Sequence, residues 1–339
     1  MKNWSNILGH ERPRGVFRRA IDGDRLHHAY LLTGPPGVGK FTTAHALAAV
    51  LNCKSRKADE FQPNCGECSP CRRIGDRQHP DVLFVEPPKR VIKISQIREV
   101  EKASISAPYE GRYRVVVIND AHTMTEEAAN ALLKTLEEPP ERMILLVVTD
   151  QPHRLLDTII SRCQRLRFGA LDEATVADAL AVEEDDVDDD LLVVAAGFGE
   201  GSLGRSLAML RSGMLADRRE FLERLFELDS RSIIDWLDLA AELSDSTDEL
   251  ESRLEIITVV MRDILLVKRA DPERIINADL RDLIVSQAPR FSLEAILTTL
   301  DALMSAKRRL DHNVNATLLA EDLVDRIRDP DERALYPPA

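Results

Sequence analysis

The 339-residue chain contains no apolar run near the ~20 residues that a helix needs to cross a bilayer, which excludes a helical membrane protein. Its first residues, Met1-Lys2-Asn3-Trp4-Ser5-Asn6, lack the apolar stretch of a secretory signal, so the cytoplasm is the expected compartment. Cysteine is scarce. Five in a chain of this length exclude a disulfide scaffold, and four of the five are clustered, which in a reducing cytosol reads as metal binding. Positive charge is lacking at one end only. Residues 1–169 carry 26 Lys and Arg against 20 Asp and Glu, and residues 170–339 carry 19 against 38. The front half is suited to face phosphates. The back half repels a nucleic-acid backbone except through a local basic patch.

What remains is an ordinary globular composition, 44% hydrophobic and 30% charged, long enough for two or three domains. In residues 1–169, short β-branched runs alternate with helical stretches. Ala29–Thr33, Val82–Val85, Val115–Ile118 and Ile144–Val148 read as strands, and the continuous apolar character of the last two suits strands covered on both faces. Strands separated by helices imply a parallel α/β sheet. Near Gly169 the strand signals stop. Residues 170–212 read as a small helical domain, and the acidic run 183–190 within it as a solvated loop or helix cap rather than an interaction face. Residues 213–335 carry apolar positions at helical spacing, Leu222, Leu225 and Phe226, then Ile256, Ile257, Val260 and Ile264, as an α-helical bundle does. The 334–339 tail reads as frayed.

Gly34-Pro35-Pro36-Gly37-Val38-Gly39-Lys40 follows a strand and opens a helix, which is the context of a phosphate-binding P-loop. Glycines let backbone N–H groups turn inward on phosphate oxygens, the helix N-terminus favours the anion, and Lys40 reaches the β and γ phosphates. The next position calls for Ser or Thr, whose hydroxyl holds Mg²⁺; here it is Phe41. Thr42 is rotated about 100° further around the helix and does not substitute. The Val115–Ile118 strand ends in Asn119-Asp120, where ATPases of this kind place Asp for the metal and Glu for the attacking water. Asn119 is a neutral amide, a poor Mg²⁺ partner, and Asp120 is one methylene short of Glu. ATP or ADP can still be held by backbone, helix dipole and Lys40. The Mg²⁺ arrangement is disrupted, and weak or absent hydrolysis is the expectation.

Cys53, Cys65, Cys68 and Cys71 read C-x11-C-x2-C-x2-C, with Gly66 and Pro70 as turn residues. Four thiolates suit a closed tetrahedral Zn²⁺ site, structural rather than catalytic, because every ligand position is filled by protein. A redox pair or an iron–sulfur cluster is the alternative. Arg72, Arg73 and Arg77 follow and read as a solvated basic turn. Cys163 is isolated and expected to be buried and inert.

With these residues in view, the chain resembles the bacterial DNA polymerase III clamp-loader AAA+ subunits over nearly its full length. The resemblance lies in residues 26–32, the P-loop, the four-cysteine insertion, Ile94-Ser95-Gln96-Ile97-Arg98, residues 128–140 ending in Glu137-Glu138-Pro139-Pro140, and Ser161-Arg162-Cys163. Phe41, Asn119, Asp120 and the 201–207 segment are similar to the delta-prime branch rather than to the gamma/tau motor branch. Asn313-Val314-Asn315-Ala316 resembles the last helices of the family's collar. The resemblance implies an AAA+ P-loop α/β domain with helices on both faces of a parallel sheet and a zinc insertion, over residues 1–169. It further implies a helical lid, 170–212, and an all-α collar, 213–335.

The function it implies is that of a fixed, stator-like subunit. It joins gamma/tau and delta subunits in loading the sliding clamp onto primed DNA, without a membrane partner. Arg162 is implied as a finger reaching a neighbouring gamma/tau subunit's ATP, the alternative being a salt bridge to a local Glu. Thr149 and Arg205 match the family's two sensor positions. Trp4 and residues 7–10 resemble the segment near the adenine, and a plain core contact fits them equally. A working gamma/tau-like ATPase is the alternative function, and a zinc-dependent DNA-binding protein a second one.

Overall fold

The computed structural model describes residues 3–56, 60–184, 186–227, 233–244, 246–269, 271–310 and 315–328. Asp185 of the acidic run, Asn313 and Val314 of the collar motif, and the 334–339 tail lie outside the described residues. By its contacts the chain forms two units, Met1–Val176 with Glu200–Arg205, and Ala177–Gly199 with the residues from Ser206 onward.

The first unit is built from α1 (Glu11–Asp22), β1 (Ala29–Thr33), α2 (Lys40–Asn52), α3 (Ser69–Gly75), β2 (Val82–Val85), α4 (Ile94–Ser104), β3 (Arg114–Ile118), α5 (Glu126–Glu137), β4 (Met143–Thr149), α6 (Asp157–Ile160) and β5 (Gln164–Arg167). All pairings are parallel, in the order β2-β3-β4-β1-β5. Side chains alternate across the sheet. Tyr30, Leu32, Val115, Val117, Leu146 and Val148 join one core with Phe17 of α1 and Leu47 and Leu51 of α2. Leu31, Val116, Ile118, Leu145 and Val147 join a second core with Ile97 of α4, Leu132 of α5 and Ile159 of α6. Both faces are therefore helix-covered, which is why the strands read as continuous apolar runs. This is a parallel α/β sheet covered by helices on both faces, with the P-loop leaving β1.

The strand β5 is absent from the sequence reading. Its residues, Gln164-Arg165-Leu166-Arg167, bury only Leu166, so the apolar run that marks the inner strands is missing. It is an edge strand, held by backbone pairing to β1.

Register sets the site. Thr33 of β1 lies opposite Thr149 of β4, and Ile118 of β3 opposite Val147. The residues that follow these strands, Gly34, Asn119 and Asp150, therefore gather at one edge of the sheet, where ligands of open parallel sheets bind.

The second unit is helical. The helices α7 (Glu173–Glu183) and α9 (Leu203–Arg211) begin in residues of the first unit and end in the second. The remainder are α8 (Asp189–Phe198), α10 (Arg218–Phe226), α11 (Ile233–Leu243), α12 (Thr247–Lys268), α13 (Arg281–Gln287), α14 (Leu293–Leu310) and α15 (Ala316–Arg328). Asp188 of the acidic run caps α8, its carboxylate accepting the Asp190 N–H at 2.9 Å. All seven apolar positions picked out by helical spacing between Leu222 and Ile264 are buried. Within this core, Asp263 is fully buried and accepts the backbone N–H groups of Ile276 (3.0 Å) and Asn277 (2.9 Å) and the Asn277 amide (2.8 Å). No helix among the described residues is long and apolar enough to cross a membrane.

Candidate functional site

β1 delivers the chain into a loop with Gly34 (φ 147°), Gly37 (φ 70°) and Gly39 (φ 104°) in conformations that favour glycine, and α2 starts at Lys40. The Lys40 ammonium donates to the Gly34 carbonyl at 2.7 Å and also to that of Pro35. Burial pulls its pKa below the ordinary lysine range, against the opposing pull of the Asp150 and Asp120 carboxylates. The loop is packed closely. A Cβ on Gly37 would lie 2.2 Å from the Ser202 hydroxyl, and the Gly37 carbonyl accepts the Gly204 N–H at 3.1 Å. Val38 is buried, and its carbonyl lies 2.7 Å from His10 Nε2. Pro35 is exposed.

Phe41 is turned into a cluster of rings. Its centroid is 6.0 Å from Phe84 and 6.4 Å from His45, and the Arg77 guanidinium lies 5.3 Å from both Phe41 and Phe84. Arg77 is also ion-paired with Glu86. A hydroxyl at this position is replaced by an aromatic and cationic packing unit. Thr42 is half-buried, and the next residue, Thr43, spends its hydroxyl on the Gly39 carbonyl at 2.9 Å. Asn119 donates its amide to Asp120 Oδ2 at 3.1 Å. Asp120 has a left-handed backbone (φ 49°), and burial, with the neighbouring Asp150, pushes its pKa above the usual carboxylate range although His122 and Lys40 oppose this. A short carboxylate beside a neutral amide, in place of an Asp–Glu pair, is a poor seat for a divalent cation.

Thr149 ends β4, is fully buried, and accepts the Gln151 N–H at 3.0 Å. Two residues the sequence reading passed over join it. His122 Nδ1 lies 3.1 Å from the Thr149 hydroxyl and 3.2 Å from Asp150 Oδ1. The signal was present in the Asn-Asp-Ala-His run that leaves β3, but the side chain's direction is set by the turn at Ala121–Thr123. Arg205 pairs with Glu200 at 3.1 Å, and its backbone N–H donates to the Ser202 hydroxyl at 3.2 Å. The P-loop is thus approached by Ser202 and Gly204.

Arg162 stands apart from this pocket's residues, two positions beyond α6. Its Nη2 donates to Glu137 Oε1 at 2.8 Å and its Nη1 to the Thr158 carbonyl at 3.0 Å. Trp4 is a core residue, its ring packed edge-on to Phe61 and Phe17 and its backbone N–H donating to Asn64 Oδ1 at 2.9 Å.

The cysteines come together from the end of α2, the following loop and the start of α3. All four Sγ atoms lie within 4.8 Å of one another. Cys53 is 3.6 Å from Cys65 and 4.0 Å from Cys68, and Cys65 is 4.0 Å from Cys71. A tetrahedron with Zn–S bonds of ~2.3 Å has edges of about 3.8 Å, so four thiolates here fit one ion. A Ser55 hydrogen bond, together with backbone N–H donors, brings the Cys65 thiol down to about 6, while burial pushes Cys71 up. Cys163 is isolated, and burial raises it to about 12, the property of an inert thiol.

The family model described as DNA polymerase III, delta subunit matches residues 9–172, and one described as DNA polymerase III, delta subunit, C terminal, matches residues 212–329. The chain is 33% identical over 317 residues to DNA polymerase III subunit delta' of Bacillus subtilis (strain 168), covering 91% of this chain and 93% of that one. The chain belongs to the DNA polymerase III delta-prime family. A second delta-prime relative, from Escherichia coli (strain K12), is 31% identical, with 89% of each chain covered. The tau subunit of Bacillus subtilis is 30% identical over 295 residues, but the match spans 51% of that longer protein. Among solved structures, a gamma subunit-related protein of DNA polymerase III from Thermotoga maritima matches at 19% identity and a TM-score of 0.47, covering 94% of this chain and 99% of that one.

Proposed function

We propose that this delta-prime family member is a stator of the clamp loader. In this role it joins gamma/tau and delta subunits, helps load the sliding clamp onto primed DNA in the cytoplasm, and lends Arg162 to the ATP of a neighbouring gamma/tau subunit. Residues 1–169 are the P-loop module, 170–212 the lid and 213–335 the collar that holds the assembly. The four cysteines hold one structural Zn²⁺.

One observation carries the stator reading. Neither position that should grip Mg²⁺ offers a hydroxyl or a carboxylate: Phe41 packs against Phe84 and Arg77, and Asn119 is a neutral amide whose NH2 donates to Asp120. Gly34, Gly37, Gly39 and Lys40 retain a loop suited to phosphate, so nucleotide without turnover is compatible with the chemistry. Arg162 supports the second half of the reading. Its side chain is 36% exposed and ends in a planar guanidinium, which is what binding phosphate on another chain requires.

The test is Mg²⁺-dependent ATP turnover, first by the purified chain and then by the reconstituted assembly carrying Arg162→Ala. We expect negligible turnover alone and a loss of about 10³-fold at the one site served by Arg162. Turnover by the isolated chain at the rate of the motor subunits overturns the stator reading and leaves the gamma/tau-like alternative. An assembly unaffected by Arg162→Ala overturns the finger.

A further inference from the structure

We infer that Glu137 is a positioning residue for Arg162, holding its guanidinium in the orientation in which it meets a phosphate of the neighbouring subunit. The inference rests on the trans-finger reading and extends it to a residue outside the Ser-Arg-Cys triplet.

An arginine on a surface has many rotamers, and a finger that must find a phosphate on another chain gains from having its plane fixed beforehand. Two separate elements fix it here. Glu137, the last residue of α5, accepts from Nη2 at 2.8 Å, and Thr158 of α6 accepts from Nη1 at 3.0 Å, with the Ser161 hydroxyl 3.5 Å from the same nitrogen. The anchors differ in kind. The Thr158 carbonyl is backbone and belongs to the same short helix that carries Arg162 into place. Glu137 reaches across 25 residues of sequence and is the side chain that sets the tilt of the guanidinium relative to α5. The helix α5 is itself fixed, with Leu132, Thr135 and Leu136 buried against the sheet, so Glu137 is delivered from a rigid platform. These contacts engage Nη1 and Nη2 once each with close acceptors and leave the Nε–H as a donor for an incoming anion.

As a mere surface ion pair, with side chains 36% and 52% exposed, this contact contributes little to stability and its loss leaves turnover alone. As a positioning contact its loss lowers kcat of the assembly while ATP affinity stays, because Glu137 touches no nucleotide. The experiment uses the reconstituted loader with clamp and primed DNA, comparing Glu137→Gln, Glu137→Ala, Arg162→Ala and the double variant Glu137→Gln/Arg162→Ala. Gln keeps the shape and removes the charge, which guards against a folding defect. We expect Glu137→Gln to lower kcat by about tenfold with KM for ATP unchanged, as loss of alignment does. The double variant should be no slower than Arg162→Ala alone, since Glu137 acts only through Arg162. Glu137→Gln at full or increased kcat, or a further loss in the Arg162→Ala background, overturns the inference while the finger stands. Arg162→Ala at the parental rate overturns the finger reading itself and this inference with it.

Discussion

Asp81 shows what a single buried charge does in this protein. It is fully buried at the foot of β2 and accepts the backbone N–H groups of Tyr109 (2.6 Å), Glu110 (2.9 Å) and Gly111 (2.8 Å) and the Arg114 guanidinium (2.9 Å). Burial alone would raise its pKa, but these donors outweigh it and hold the carboxyl below the ordinary range. The sign of the linkage follows. A lowered folded-state pKa contributes stability that is present above the unfolded value of about 4 and is lost as pH falls through the folded one. Asp81→Asn should therefore lower stability at pH 7 by about 3 kcal/mol, and the gap to the parent should narrow as the pH drops below about 4. Urea unfolding at neutral and acid pH checks both halves, and a gap that widens in acid contradicts the assignment. None of this was legible beforehand. Asp81 is one of 58 acidic residues, and only the fold of residues 105–114 around it reveals its partners.

At the scale of the element, the strand–loop–helix unit at residues 29–52 shows how much a sequence can disclose. Gly34, Gly37, Gly39 and Lys40 named the loop because its backbone chemistry leaves a glycine signature. The inner strands named themselves because burial on both faces demands apolar residues at every position. The edge strand β5 left no such mark, since its pairing is made by backbone atoms that every residue possesses. Likewise the approach of Ser202 and Gly204 to Gly37 depends on a turn far along the chain, and no local pattern announces it. The glycines also answer to neighbours other than phosphate. A Cβ on Gly34 would lie 2.2 Å from the Phe168 carbonyl oxygen, backbone that follows β5 and cannot swing aside. Gly34→Ala should therefore destabilise the chain by about 2 kcal/mol or more, whether or not nucleotide is added. A thermal midpoint equal to the parent's would show that the β1–β5 edge yields more readily than its packing suggests.

For the whole molecule, the division of charge and the division of structure nearly coincide. The acidic back half falls mostly in the helical unit, apart from residues 170–176 and 200–205, and the basic front half carries the P-loop and the cysteines. Spacing alone singled out the four cysteines that the structure brings within 4.8 Å of one another, because few arrangements bring four thiols so close. The family was legible from the same kind of signal, long blocks such as residues 128–140. A salt bridge from Arg162 to a glutamate was open to the sequence, but its partner Glu137 was not, since a pairing between α5 and the turn after α6 is a product of the tertiary fold. Elemental analysis of the purified protein should find about one zinc per chain. Cys71→Ser, which removes a fully buried ligand, should abolish it and lower the thermal midpoint. A zinc-free protein with an unchanged midpoint refutes the structural role.

The closeness of those four sulfurs has a second face. Neighbours 3.6 to 4.0 Å apart need only a small movement to bond to one another. The Zn²⁺ proposed for this cluster would occupy the electron pairs that an oxidant attacks. Should it be stripped away in air, the knuckle would rust shut into cystines, and re-metallation would then wait on a reductant. Handling of this protein is thus as much a matter of redox hygiene as of temperature.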